Sequence, residues 1–184
     1  TFSQEKIISS GDNWFYFIEE SLPIDWYKTK TEQNKWKQGK TPIGYGDTKV
    51  STHIGYGSDK ENKHLVKYFY KNFNIINIEN YIAFNLKVTR DDGVIIYLNG
   101  KEIYRNNLPP GLITSKTEAV EIIDLEKESE VLSKIIDANN FRSGKNILQV
   151  SIHQVHSESS DVIFDLDLIG YKEPNLLAEI VDKK

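Results

Sequence analysis

The chain has 184 residues, 27 acidic against 23 basic, for a formal net charge of −4; this is single-domain length, and the interspersed signs leave no basic stripe for nucleic acid. Cys and Met are absent, which excludes thiol catalysis, disulfides and thiolate metal sites. The hydrophobic fraction is 39%, no apolar run approaches the ~18 residues of a membrane span, and a chain of this size can bury roughly 70% of its unfolded surface without staples.

Thr1–Ser10 has neither a charged n-region nor an apolar h-region, so it reads as no signal peptide. With no Met, the chain is expected to be an excised piece of a longer protein or to lack its initiator. Trp14–Phe17 is a weak strand candidate, and Leu22–Tyr27 and Glu32–Lys37 each suit one or two helical turns. Lys40–Lys63, rich in Gly, Tyr, Thr and Asp, is the longest irregular stretch, and long loops in compact domains are often functional. Leu65–Phe73 is a further strand candidate. In Tyr81–Thr89, Ile82, Phe84, Leu86 and Val88 share one face while Asn85, Lys87 and Thr89 take the other.

Asp91 to Arg105 is expected to be a tight hairpin. Val94–Leu98 is a β-rich run, Asn99-Gly100 is the favoured type I′ pair because both positions need positive φ, and Lys101–Tyr104 returns. Val120–Leu125 and Val131–Ile136 are weaker strands. Asn146–Ile152 puts Leu148, Val150 and Ile152 on one face, and Val162–Ile169 turns Val162, Phe164, Leu166 and Leu168 inward with Asp165 and Asp167 outward. Leu176–Val181 suits a short helix or a linker. Eight or nine strands suffice for two packed sheets, an all-β sandwich spanning 1–171 with a tail or linker over 172–184.

Several constellations could carry chemistry. Asp91-Asp92, before Gly93, could ligate calcium or accept hydrogen bonds from sugar hydroxyls; equally, one carboxylate could cap a turn and the other pair with Arg90 or Arg105. The EF-hand spacing is absent. His153-Gln154-Val155-His156 and the following Ser157–Asp161 form the densest polar cluster, in a loop between two strands. Its serines lie in no G-x-S-x-G elbow and its histidines lack H-E-x-x-H, so a hydrogen-bonded loop is a better reading than a triad or a zinc site. Pro42–Asp47 and Gly55–Gly57 fit no phosphate-binding pattern; their glycines suit turns, and Tyr45 could stack on a ligand or cover a sheet end. Trp14 and Trp36 are expected in or at the core. Trp26, in Asp25-Trp26-Tyr27, is the expected exposed platform.

One series is familiar: a tryptophan-rich start, Pro42–Asp47, Tyr68–Phe73, Arg90–Gly100, Asn107–Gly111, Gly144–Asn146, His153-Gln154 and Ser159–Leu166. Together these resemble a galactose-binding-like β-sandwich module of secreted multidomain bacterial proteins, appended there to phosphoesterases, spore-coat-kinase-like domains and polysaccharide-degrading enzymes. The resemblance covers roughly 12 to 170. It departs at Lys71, where Arg is usual; Lys keeps the charge without the bidentate geometry. The resemblance implies a jelly roll, a secreted or cell-surface location and a non-catalytic accessory role. Carbohydrate binding is the usual function for this fold, often with a structural calcium, for which Asp91 and Asp92 are the first candidates.

Three functions follow as expectations. A glycan-binding module would use Asp91, Asp92, Arg105, Asn107, His153, Gln154 and Asp161, with Trp26 or Tyr45 as platform. A structural module, packing on other domains of the same polypeptide, would use the same residues as a buried network. A hydrolase would need His153 with Asp161, or two carboxylates about 5–10 Å apart across a cleft. In every case Asp91-Asp92 and Arg105, the two ends of the hairpin, are expected to meet the His153–Asp161 loop.

Overall fold

A computed structural model describes residues 2–18, 22–28, 35–123, 127 and 130–173. Among them are twelve strands: β1 Ser3–Ile8, β2 Asn13–Phe17, β3 Lys37–Lys40, β4 Ile43–Tyr45, β5 Thr52–His53, β6 Val66–Ile75, β7 Tyr81–Arg90, β8 Gly93–Leu98, β9 Lys101–Asn106, β10 Leu132–Asp137, β11 Gly144–His153 and β12 Val162–Lys172. They form two six-stranded sheets, the expected all-β sandwich. One runs β10-β7-β12-β4-β5, with β1 on the C-terminal part of β12; the other runs β3-β2-β6-β11-β8-β9. The β4–β5 pair is parallel and the other pairs are antiparallel.

The period-2 pattern explains the central core. Phe84, Leu86 and Val88 of β7, Leu148, Val150 and Ile152 of β11, and Val162, Phe164, Leu166 and Leu168 of β12 are all buried in one cluster between the sheets. Ile82 shares the parity of Phe84 but is 39% exposed, because it lies at the strand's rim. The Asn99-Gly100 turn has φ of 52° and 83°, the two positive values that type I′ demands.

The sheet containing β11 is covered on both faces. Its outer side carries a second cluster of Phe17, Trp26, Trp36, Val66, Tyr68 and Tyr70, and a third of Ile95, Tyr97, Leu108, Ile113 and Ala119. Each residue of β8 is therefore buried. Two segments lie over this face: the turns near Trp26, and a strap of chain following β9 that carries Ile113 and Ala119.

Several expectations are corrected. The strands exceed eight or nine because β1, β3, β4 and β5 are short or charged. Residues 120–123 form no strand: the N–H groups of Val120, Glu121 and Ile123 go to Asn107 O, Asn107 Oδ1 and Asp92 Oδ1. Leu22–Tyr27 is not helical; Trp26 N–H to Pro23 O and Lys28 N–H to Asp25 O make successive turns. Of Glu32–Lys37, residues 32–34 lie outside the described residues and Lys37 opens β3. The expected helix or linker at 176–181 is likewise outside them, and β12 runs to Lys172, one residue past the expected module end.

Candidate functional site

Strand register brings Tyr45, Asp91, Asp92, His153 and Gln154 to one end of the sandwich; Trp26 lies apart, on the outer face of the β11 sheet. On β11, His153 faces Gly93 of β8 and Val66 of β6. The Asp91-Asp92 turn, which joins β7 to β8 through a cis peptide bond, therefore lies beside Gln154 and Val155. Tyr45 pairs with Val162 at the start of β12, which brings the Ser157–Asp161 loop to the same end. Gly46, with φ of 80°, makes this approach possible: a Cβ there would stand 2.5 Å from Ser160 O and from Asp161 Cβ.

The Asp91-Asp92 end of the hairpin meets the 153–161 loop; the Arg105 end does not bond to it and turns instead to Glu102 and the strap. The Asp92 carboxylate accepts the Ile123 N–H at 2.8 Å and the Val155 N–H at 3.0 Å. Gln154 Nε2 donates to Asp91 O at 2.6 Å. Asn107, at φ 54°, imitates a strand partner: its Nδ2 donates to Glu121 O and Asp92 O, and its Oδ1 accepts the Glu121 N–H. Arg105 grips Glu102 with Nε and Nη2 and donates to the carbonyls of Pro109 and Gly111, which fixes the start of the strap. Arg90, expected as a carboxylate partner, instead donates Nε and Nη2 to Asn106 Oδ1. Asp91, Asp92 and Gln154 are buried, and Arg105, Asn107 and Asp161 are half-buried.

His153 is 1% exposed. Its Nδ1 must donate to the Thr117 carbonyl at 2.7 Å, which leaves Nε2 to accept the Ser151 hydroxyl at 2.8 Å. Burial pushes its pKa down to about 4, against the Thr117 bond, which raises it. Asp161 is not its partner: that carboxylate takes the Ser160 hydroxyl. Trp26 is 6% exposed, enclosed by Trp36, Tyr68, Tyr97 and Tyr27. Tyr45 is 7% exposed against Tyr56. Neither ring is an exposed platform: Trp26 is packed in the cluster on the outer side of the β11 sheet and Tyr45 in the central core.

Both Asp92 oxygens already hold N–H donors, and among the described residues no group of three or more Asp, Glu or His converges.

Sequence reasoning missed Lys67. It is 0% exposed; its Nζ donates to the His64 carbonyl and lies 5.3 Å over the Tyr45 ring. Burial, followed by the Lys63 charge, pushes its pKa down to about 7, while Asp91 opposes this. Burial and the nearby Asp91 and Asp161 carboxylates push the Tyr45 phenol up. The sequence carried a signal, since Lys67 has the parity of Phe69 and Phe73 and so faces the core.

It also missed an open cleft of about 570 Å³ beside the network, between the 57–64 loop and residues 115–118 of the strap. Asp59, Asn62, Lys63, Tyr68, Ser115 and Glu118 are among its lining. Inward of it, Tyr68 and Ser115 also bound a small void of about 10 Å³ that reaches Trp26, Ser151 and His153.

No protein-family model and no curated protein matches the sequence. Solved structures match in fold. A β-glucuronidase from an uncultured Clostridium sp. has a TM-score of 0.58 at 13% identity, covering 94% of this chain and 29% of that one. Bacteroides uniformis β-glucuronidase 2 has a TM-score of 0.58 at 12% identity, covering 92% and 18%. A glycosyl hydrolase family 2 member from Bacteroides cellulosilyticus has a TM-score of 0.54 at 10% identity, covering 91% and 20%. This chain thus spans less than a third of those enzymes, with the same sandwich architecture.

Proposed function

We propose that the chain is a non-catalytic carbohydrate-binding accessory module of a larger secreted or cell-surface protein. The observation that carries this reading is one of proportion: a fold that fills 91–94% of this chain is an 18–29% part of three glycosidases. The likeness is one of fold, so the ligand class comes to this chain by analogy. The loop end supports a role without chemistry. His153 is sealed beneath the strap with a carbonyl, not a carboxylate, on Nδ1, and the Asp92 oxygens are held by backbone N–H groups.

The test pairs a glycan array with a turnover screen over chromogenic glycosides and esters, each run with calcium and with a chelator. Binding without turnover is the expected result. Turnover that disappears in His153→Gln would overturn it, and loss of binding in chelator would assign calcium a role.

A second reading, a structural module packing on a neighbouring domain, draws on the same network. Asp92, Asn107, Arg105 and Gln154 all bond to main chain of neighbouring loops, as a framework would. Silence on the array, with tight association to a neighbouring domain of the parent polypeptide, would favour it.

A further inference from the structure

The residues first expected to touch a ligand are turned inward, so a ligand needs another place at this end of the sandwich. We propose that the cleft between the 57–64 loop and the strap is the carbohydrate site, and that it takes an uncharged, hydroxyl-rich sugar chain. This rests on the accessory-module reading and deepens it.

Size and rigidity support the site. Its volume of about 570 Å³ lies within the roughly 300–1,000 Å³ of ordinary ligand pockets. Both walls are held before any ligand arrives. In the loop wall, Lys63 N–H donates to Ser157 O and His64 N–H to Tyr56 O, and His64 Nδ1 bonds the Ile18 carbonyl. In the strap wall, the Thr114–Thr117 turn closes on itself, His153 holds the Thr117 carbonyl and Ala119 N–H donates to Gln154 O. Tyr68 is braced by the Trp26 ring at 5.1 Å. Preformed walls remove the ordering cost that would otherwise oppose binding.

The polar groups fit hydroxyls. Asn62 and Ser115 offer donors and acceptors, and the carboxylates of Asp59 and Glu118 offer acceptors. A sugar hydroxyl both donates and accepts, so it can use each of them.

Charge argues against an acidic sugar. The lining holds Asp59 and Glu118 against Lys63 and Lys116 and includes no arginine fork. The Lys63 ammonium already donates to the carbonyls of Glu158 and Ser159 at 3.0 and 2.7 Å. A uronate could pair with Lys63 only by displacing those bonds, and at Lys116 it would still meet the Asp59 and Glu118 carboxylates.

The experiment is affinity electrophoresis of the whole 184-residue chain through gels containing galactomannan, xyloglucan, mixed-linkage β-glucan, polygalacturonate or hyaluronan. Wild type is compared with Ser115→Trp, which fills the cleft, and with Asn62→Ala and Glu118→Ala, which trim exposed side chains; thermal melts check each fold. At least one neutral polysaccharide is expected to retard wild type, with Ser115→Trp weakening binding about tenfold or more and each Ala variant weakening it severalfold. Neutral binding unchanged in all three variants overturns the cleft assignment and leaves the module reading intact. Stronger retardation by polygalacturonate or hyaluronan overturns the uncharged class alone. No retardation by any of the five removes this inference together with the proposed function.

Discussion

Asp92 and Val155, 63 residues apart in sequence, are joined by a 3.0 Å bond from the Val155 N–H to the Asp92 carboxylate. The other oxygen of the same group holds the Ile123 N–H at 2.8 Å. One buried side chain thus closes three loops on one another: the β7–β8 turn, the exit from β11 and the end of the strap.

Replacing Asp92 with Asn should test that closure. The amide keeps one acceptor and turns an NH₂ toward an N–H, so one charge-assisted bond is lost and a buried donor faces a donor. The expected loss is about 2–4 kcal/mol, read as a lower urea midpoint with an unchanged m-value. A midpoint equal to wild type would show that the bonds to Ile123 and Val155 contribute nothing.

His153 should make the fold acid-sensitive. Its pKa falls from the ordinary 6.5 to about 4 on folding, so between those values the unfolded chain binds a proton that the folded chain refuses. Its contribution is complete above about pH 6.5 and is lost as the pH falls toward about 4. Urea midpoints of wild type at pH 7.5 and 5 should differ more than those of His153→Gln. Equal differences in the two proteins would contradict the buried neutral imidazole.

Lys67 should act on the alkaline side. Its pKa drops from 10.5 to about 7 in the fold, so the unfolded chain binds the extra proton between about 7 and 10.5. Stability should rise with pH across that window. Lys67→Met keeps the stem volume and removes the buried ammonium, so the slope between pH 7 and 9.5 should shrink and stability at pH 7 should not fall. A steeper slope in the variant would contradict this.

Trp26 should behave as a core residue. Its ring contacts Trp36, Tyr68 and Tyr97, and Trp26→Ala should cost about 3–5 kcal/mol through the cavity it leaves. Near-wild-type denaturation together with lost glycan binding would restore Trp26 as a binding platform.

The limits of the sequence reading follow from what alternation encodes. Period 2 separates the two faces of β7, β11 and β12 and so exposes the central core, and Asn99-Gly100 identifies its turn by the φ both residues need. Alternation does not say whether the second face is covered. That gap placed Trp26 outside, although the unbroken apolar run Val94–Leu98 is the pattern of a strand buried on both faces. β1 escaped notice because Ser3–Glu5 and Lys6 are exposed at a sheet edge, which leaves no periodic signal. The meeting of Asp91-Asp92 with Gln154 and Val155 was legible from adjacent strand ends. Which atoms meet was not, because that depends on the His153–Gly93 register. The cleft was invisible for a related reason: its walls come from chain segments that only the closed loops bring together.

The central claim is that the loop network is a scaffold and that sugar is bound beside it. The most direct measurement is titration calorimetry with oligosaccharides prepared from whichever polysaccharide retards the protein. It should be run on wild type, Ser115→Trp and Asp92→Asn, with Asp92→Asn held well below its melting temperature. The account predicts that Ser115→Trp loses affinity at unchanged stability, while Asp92→Asn loses stability and binds within about twofold of wild type. Lost affinity in a folded Asp92→Asn with undiminished affinity in Ser115→Trp would contradict it and return the ligand to the Asp91-Asp92 turn.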